Sequence, residues 1–382
     1  MELYILDSLY RRVEVVDVFE SLIWAERFSS IGDFELHILS SFENRNRFKE
    51  GVNLASNVSN RIMTVETVED ITDEEGRRIL KVTGVSFENI LKQRIAAFNN
   101  AGTWERWVSS NTNPVAIAQA LFNYICVTGG LNAGDVISPL IIGDFYPTDT
   151  IANPSETLVY TPNIQDLYTA LKDLCDAFSI GFRFVRHPAT NLLYFNFYMG
   201  SDRTTGQTFL PAVVFSPDLD NLRNTNRLAS SSLYKNVAYV INDTDHEIVY
   251  AQDIDPGIES FERRVLLVVV DNDLTSDQMI QRGKDELAKH RKFEALDGQL
   301  PTITQYRYEV DYFLGDLVEL RDDDGTTSQM QVTEQIFVHD KEGERAYPTL
   351  SINTFVTPGS WIAWDFAQEW DDLTTEEWED LP

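Results

Sequence analysis

Ser29-Ser30-Ile31-Gly32-Asp33, followed by Phe34-Glu35-Leu36-His37-Ile38, is the stretch of sequence that decides the fold. The first five residues are typical of a turn, because Ser, Gly and Asp favour turn conformations. In the next five, apolar side chains alternate with polar ones, which is the period of a strand with one buried face. The stretch therefore predicts a turn that leads into a half-buried strand.

Residues 1–95 continue in this style and are predicted to form a first β-barrel-like domain. Val65-Glu66-Thr67-Val68 and Ile79-Leu80-Lys81-Val82 read as strands, and Asp73-Glu74-Glu75-Gly76 lies between them. An acidic run closed by glycine is typical of a hairpin loop. Short strands joined by such turns favour a small barrel or sandwich, and we expect strands from residues 208–254 to complete it.

Residues 96–207 change to a helical period and are predicted to form an α/β insert domain. Asn113-Pro114 is a helix cap followed by a proline at the first helical position. A second amphipathic helix is predicted from Ile164 to Phe178, with Gly181 as the residue just past its end. The segment 129–162 is rich in loop signals and is expected to be an exposed extension.

Residues 255–301 are predicted to be a connecting region that contains a strand and a charged helix. Residues 302–357 are predicted to form a second β-barrel-like domain, because two hairpins follow each other there. Their turns are Asp322-Asp323-Asp324-Gly325 and Asp340-Lys341-Glu342-Gly343. The expected fold class is therefore α+β and rich in strand: two small β-barrel-like domains with α/β insert domains.

The charge of the chain excludes several classes of partner. Asp and Glu number 61 against 31 Lys and Arg, which gives a formal net charge of −30. Nucleic acids and anionic membranes are bound by clustered Lys and Arg, so neither is an expected surface ligand. The longest strongly apolar run, Val265 to Val270, is far shorter than the roughly 20 residues that span a bilayer, so we expect no stable membrane insertion. Cys126 and Cys175 lie on apolar helical patterns and are expected to be buried, reduced thiols of a chain made in a cytoplasm.

The sequence predicts no catalytic, cofactor-binding or metal-ligating residue. The sequence has no nucleophile elbow, phosphate-binding loop, dinucleotide fingerprint or zinc-binding helix motif. No two of the five histidines have ligand spacing; they are His37, His187, His246, His290 and His339. A hydrolase that uses two carboxylates stays open as an alternative, because acids are abundant and their pairing requires three dimensions.

The last 22 residues, Trp361 to Pro382, combine four tryptophans and eight carboxylates with no Lys or Arg. Glu369-Trp370-Asp371-Asp372-Leu373 nearly recurs eight residues later as Glu377-Trp378-Glu379-Asp380-Leu381. Because tryptophan is enriched at interface hot spots, residues 358–382 are predicted to be a docking tail for another protein. The alternative is that the tryptophans pack onto the chain's own body. The predicted partner-docking residues are Trp361, Trp364, Trp370, Leu373, Trp378 and Leu381.

Several stretches resemble a known family. Leu22-Ile23-Trp24-Ala25-Glu26-Arg27-Phe28, followed by Gly32-Asp33-Phe34-Glu35-Leu36, resembles the opening of hub-type minor tail proteins of long-tailed, non-contractile bacteriophages. The resemblance extends over about residues 1–357. Its further matches are Gly200-Ser201-Asp202-Arg203-Thr204, Val213-Val214-Phe215-Ser216-Pro217, Tyr234-Lys235-Asn236-Val237-Ala238-Tyr239 and Leu314-Gly315-Asp316-Leu317-Val318.

The resemblance implies a structural virion protein, a baseplate or tail-tip hub in the virion tail, and not an enzyme. Three chains would close a ring of six barrels, which closes the tail tube and adapts its sixfold symmetry to a threefold tip. A tail-tube or distal tail protein would lie above this homotrimer, and a tip or fibre protein would bind below through the C-terminal tail. From the acidic charge we expect DNA to pass through the channel without specific binding.

Two other functions are consistent with the sequence. An envelope-glycan hydrolase would require a cleft with two facing carboxylates. A host-receptor-binding tail module would use residues 129–162 as its binding surface. Neither is predicted by a motif.

Overall fold

The computed structural model of the protein forms two compact units. One comprises Met1–Arg223 and Gln299–Phe355, and the other comprises Asn224–Gly298. The predicted strand-rich α+β class, with few helices, is confirmed. The structure describes residues 1–72, 76–143, 157–242, 248–252, 261–270, 276–290, 293–299, 305–322, 325 and 327–352.

Strands and helices are numbered in chain order. The strands are β1 Leu3–Leu6, β2 Arg12–Val16, β3 Ser21–Arg27, β4 Asp33–Leu39, β5 Asn53–Ser56, β6 Met63–Thr72, β7 Arg78–Ser86, β8 Ile95–Ala96, β9 Phe98–Asn100, β10 Thr103–Glu105, β11 Ile141–Ile142, β12 Gln165–Asp166, β13 Gly181–Arg186, β14 Leu193–Tyr198, β15 Val214–Phe215, β16 Arg223–Ser230, β17 Val237–Asn242, β18 Ile248–Gln252, β19 Val265–Val270, β20 Phe293–Gln299, β21 Leu317–Arg321, β22 Thr327–Asp340 and β23 Gly343–Ile352. The helices are α1 Phe42–Arg47, α2 Pro114–Phe122, α3 Leu167–Ala177 and α4 Ser276–Lys289.

The larger unit is built on one eleven-stranded sheet. Its strand order is β15-β21-β22-β3-β4-β7-β6-β5-β1-β2, and β23 also pairs with β22. The three predicted hairpins are confirmed, because β6 pairs with β7, β21 with β22 and β22 with β23, all antiparallel. The predicted alternation of β4 is confirmed as well, since Phe34, Leu36 and Ile38 are buried and pack in one core with Trp24.

The long strand β22 joins two β blocks, residues 1–95 and 302–357, which the sequence predicts as separate domains. Its first part, from Thr327 to Gln331, pairs with β21, and its second part, from Glu334 to His339, pairs with β3. The register of its pairing with β23 shifts between Val332 and Glu334, which is the position of a β-bulge. The division of the chain into five segments at residues 95, 207, 301 and 357 stays a prediction.

Two helices and a hairpin form the insert region. The cap of α2 is as predicted, because Asn113 accepts a hydrogen bond from the Ala116 amide at 2.8 Å. Helix α3 begins at a second cap, Asp166, which accepts from the Thr169 amide at 2.9 Å. The helices pack on the hairpin of β13 and β14 around an aromatic core, in which the rings of Phe122 and Phe195 stack with centroids 3.8 Å apart.

Two predictions for the insert region are corrected. Gly181 does not follow the end of α3: the left-handed residue there is Ser179, with φ of 52°, and Gly181 begins β13. A Cβ on Gly181 would lie 2.5 Å from the Phe28 ring, so close packing explains the glycine. The segment 129–162 is not an exposed extension in its described parts, because Leu131, Ile137 and Leu158 are buried in the core; residues 144–156 lie outside the described ranges.

The smaller unit contains a three-stranded sheet with one helix. Strand β17 is central, antiparallel to β18 and parallel to β19. Helix α4 packs Met279 and Leu287 against Ala238, Val240 and Val268, so this charged helix buries a thin apolar stripe. The strands of residues 208–254 are therefore divided: β15 joins the large sheet, whereas β17 and β18 belong to the smaller unit.

Candidate functional site

The six residues predicted to dock a partner lie in the C-terminal tail. Trp361, Trp364, Trp370, Leu373, Trp378 and Leu381 are all outside the residues that the structure describes. Their role stays a prediction, and candidate sites elsewhere come from buried polar clusters, one cavity and exposed apolar surfaces.

The most deeply buried charges form a cluster around Arg61. Its Nη1 atom lies 2.7 Å from Glu88 Oε1, and its Nε atom lies 3.9 Å from Glu26 Oε2. All three side chains are almost completely buried. Burial alone would lower the pKa of Arg61, but Tyr198 and the two carboxylates raise it above its ordinary value. Because neither carboxylate is exposed to solvent, the cluster cannot receive a substrate, and its role is structural.

The Arg61 cluster connects parts of the chain that are distant in sequence. Glu88 also accepts a hydrogen bond from the Phe184 amide in β13, at 2.8 Å. Glu26 accepts one from the Tyr308 hydroxyl at 3.1 Å, and burial raises the pKa of this tyrosine well above its ordinary value. The cluster therefore links the first β block to the insert hairpin and, through Tyr308, to the start of the second β block, residues 302–357.

A second buried ion pair joins Arg203 to Asp316. The Nε atom of Arg203 lies 2.6 Å from Asp316 Oδ2, and the backbone amides of Ser201 and Phe313 also donate to this carboxylate, at 2.7 and 3.0 Å. Burial raises the pKa of Asp316, and the Ser201 and Arg203 hydrogen bonds oppose that rise. Two of the family-like stretches, residues 200–204 and 314–318, meet at this pair.

A cavity of about 310 Å³ lies beside the start of the Ser29 turn. Its two carboxylates are Asp176 and Glu334, and each is engaged by a cation: Lys172 at 2.6 Å from Asp176 and Arg27 at 2.8 Å from Glu334. A glycosidase uses a protonated acid that faces a carboxylate free to attack or to activate water. Because both carboxylates of this cavity are already paired with cations, the cavity lacks that arrangement.

Clusters of metal ligands and membrane-spanning helices are both absent from the described part of the chain. No group of three or more His, Cys, Asp or Glu side chains there is arranged to hold a metal ion. In the same ranges, no helix combines the length and apolar character needed to cross a membrane.

The first exposed apolar surface is the edge of the large sheet at β2. Among the described strands, β2 pairs only with β1, so its other side is a sheet edge. The side chains of Val13 and Val15 on this strand are more than half exposed, as are those of Leu9 and Val18 beside it. Exposed apolar edge strands are surfaces for pairing with another chain. The alternation of Arg12-Val13-Glu14-Val15 could have predicted this strand, but not that its apolar side chains face solvent.

The second exposed apolar surface is Phe209, which is 95% exposed at the tip of a loop. The side chain of Gln207 fixes that loop. Its Oε1 atom accepts from the amides of Phe209 and Leu210 at 2.7 and 2.8 Å, and its Nε2 atom donates to the carbonyls of Thr204 and Leu210 at 3.2 and 2.7 Å. An aromatic side chain on a loop whose backbone is already fixed binds a partner with little further loss of backbone conformational entropy. No local sequence pattern signalled this residue.

The third exposed apolar surface, the open face, belongs to the smaller unit. It is the side of the sheet opposite α4 and carries Tyr239, Leu267 and Val269. In the parallel register Tyr239 lies beside Leu267, and Ile241 lies beside Val269. The strand predicted in residues 255–301 is β19, and its alternate side chains Leu267 and Val269 are exposed.

The chain has the fold of solved prophage tail proteins. It matches the crystal structure of the 43 kDa tail protein of prophage MuSo2 from Shewanella oneidensis with a TM-score of 0.56 and 13% identity, over 92% of this chain and 96% of that one. The tail protein from Neisseria meningitidis MC58 matches with a TM-score of 0.55 and 12% identity, over 91% of this chain and 95% of that one. Prophage tail protein gp18 from Listeria monocytogenes EGD-e matches with a TM-score of 0.51 and 11% identity, over 93% of this chain and 95% of that one.

A search of curated protein sequences found no significant match. A family model, described as Siphovirus ReqiPepy6 Gp37-like protein, matches residues 2–350. The resemblance to phage tail proteins is thereby confirmed over almost the whole chain. The chain belongs to the Siphovirus ReqiPepy6 Gp37-like protein family.

Proposed function

We propose that the protein is the hub at the distal end of the phage tail, where three copies close a ring around the channel. The observation that supports this role is the double pairing of β22, which hydrogen-bonds to β21 and to β3. Two β blocks that share a continuous strand keep a fixed relative orientation. Three such chains present six β blocks, which match a sixfold tail tube on one side and a threefold tip on the other.

The ring requires contacts between copies, and the β2 edge is suited to supply one. Its outer backbone groups have no partner strand in the described ranges, and the valines beside them are exposed. A closed ring covers such edges without leaving a free end, because each copy meets the next in the same way.

The charge supports a passive channel. With a net charge of −30, the protein repels phosphate groups, so DNA can pass through the ring without specific binding. The protein acts as a structural component of the virion tail and not as an enzyme. Its neighbours are a tail-tube or distal tail protein on one side and a tip or fibre protein on the other.

The C-terminal tail would capture the tip or fibre protein. Its two Glu-Trp-acidic-acidic-Leu units place one tryptophan and one leucine three residues apart in each copy, as in Trp370 and Leu373. A helical peptide carries such a pair on one face and inserts it into an apolar groove of a partner.

Native mass measurement tests the ring directly. The purified chain should have three times the monomer mass of 43.7 kDa. A monomer at every concentration, also after addition of the tail-tube protein, would contradict the proposal. Deletion of residues 361–382 tests the tail separately: the ring should persist while capture of the tip protein is lost.

A further inference from the structure

The open face of the smaller unit is an apolar sheet surface without a covering element in the described part of the chain. Leu267 and Val269 are 61% and 58% exposed, although helix α4 buries the opposite side of the same sheet. A three-stranded sheet with one open apolar face leaves hydrophobic surface in contact with water. The face therefore has the character of a binding surface.

A cation lies at one end of this face. Arg263 precedes β19 and is in phase with Leu267 and Val269, and its Nη2 atom lies 3.5 Å from the hydroxyl oxygen of Tyr239. The surface thus combines an apolar centre with a guanidinium at its margin. A complementary ligand has apolar side chains for the centre and carboxylates for the margin.

We propose that the open face binds residues 361–382 of the same chain. This segment supplies four tryptophans for the apolar centre and eight carboxylates for Arg263, and it has no Lys or Arg that would oppose the contact. Tryptophan buries about 150–250 Å² of surface when it is covered, so two or three of them are enough to occlude the exposed apolar side chains.

A short connector joins the last described strand to the tail. Strand β23 ends at Ile352, and eight residues, 353–360, precede Trp361. Fully extended, such a connector spans about 25–30 Å. Attachment to the same chain also raises the effective concentration of the tail at the face, which favours this segment over a free partner. The face then holds the tail until a neighbouring tip protein takes it.

Disulfide cross-linking in the full-length chain tests the proposal. A Leu267→Cys, Thr375→Cys variant keeps every tryptophan and places one thiol on the open face and one between the two acidic units of the tail. The native Cys126 and Cys175 do not compete, because both are buried. The matched control is Val108→Cys with Thr375→Cys, since Val108 is exposed to a similar degree and lies outside the proposed ring contact.

Under mild oxidation the first variant should form an intramolecular disulfide at least about tenfold faster than the control, because binding raises the effective concentration of the two thiols. Adding Arg263→Glu should slow that reaction, and so should high salt. Equal rates in both variants would overturn the proposal. Disulfide-linked dimers as the main product would also overturn it, because they would place the tail on another copy.

Discussion

The guanidinium of Arg203 donates to the carboxylate of Asp316 at 2.6 Å, although 113 residues separate them in sequence. Asp316 also holds the amides of Ser201 and Phe313, so one side chain fixes the approach to β15 and the start of β21. Beside it, Gly200 lies against Gly315 so closely that a Cβ on Gly200 would be 1.9 Å from the carbonyl carbon. Gly200, Arg203, Gly315 and Asp316 therefore have a packing role within these two stretches.

Arg203→Ala should lower the free energy of unfolding by about 3–5 kcal/mol, because it leaves the carboxylate of Asp316 buried without its cation. Asp316→Ala should cost at least as much, since two backbone amides also lose their acceptor. The double variant should cost less than the sum of the two. Denaturant unfolding measures all three. Arg321→Ala is the control, because Arg321 pairs with Glu319 at 2.7 Å but is more than a third exposed; a loss as large as that of Arg203→Ala would contradict the account.

Gly200→Ala should destabilise the protein by about 2–4 kcal/mol, because the new methyl group collides with backbone atoms that cannot move aside. Gly206→Ala in the same region is the matched control: its nearest neighbour, Thr204 Oγ1, is 3.6 Å away. Thermal unfolding should show a large shift for the first variant and almost none for the second. Equal shifts would mean that the close approach of Gly200 to Gly315 is not required.

Arg61→Met should destabilise the chain by about 3–5 kcal/mol, because Glu26 and Glu88 would then be buried without a cation. Adding Glu88→Gln should recover part of this loss. The amide removes one charge and keeps an oxygen for the Phe184 amide, which donates at 2.8 Å. Unfolding in denaturant checks both variants. No recovery in the double variant would show that packing, and not charge, dominates the loss.

Neither thiol should react with a water-soluble disulfide reagent in the folded protein at pH 8. Burial raises the pKa of Cys126 to about 12 and that of Cys175 well above its ordinary value, so the reactive thiolate is scarce in this pH range. After denaturation, both thiols should titrate. Rapid reaction of one thiol in the folded chain would place it at the surface.

Much of the local structure could be predicted from the sequence, and the reasons are physical. The hairpins β6–β7, β21–β22 and β22–β23 join strands that are adjacent in the chain, so alternation and turn residues suffice to identify them. The pairing of β22 with β3 joins residues about 300 positions apart, and no local pattern encodes it. Gly181 was misassigned for a similar reason, because its neighbour Phe28 is distant in sequence.

The candidate surfaces were harder to predict than the fold. Val13, Leu267 and Phe209 are apolar side chains that the sequence alone assigns to a core, and only the three-dimensional arrangement places them in solvent. The acidic, tryptophan-rich tail was found from composition alone, because that combination fits neither a core nor a disordered acidic segment. Residues 200–204 and 314–318 pack together through Arg203 and Asp316, and no local sequence pattern predicts this contact.

The most direct test of the central claim is an electron-microscopy reconstruction of the intact virion tail. The account predicts three copies of the chain in one closed ring at the distal end, with two β blocks from each copy around the channel. Copies repeated along the length of the tail, or a ring with a number of copies other than three, would contradict it.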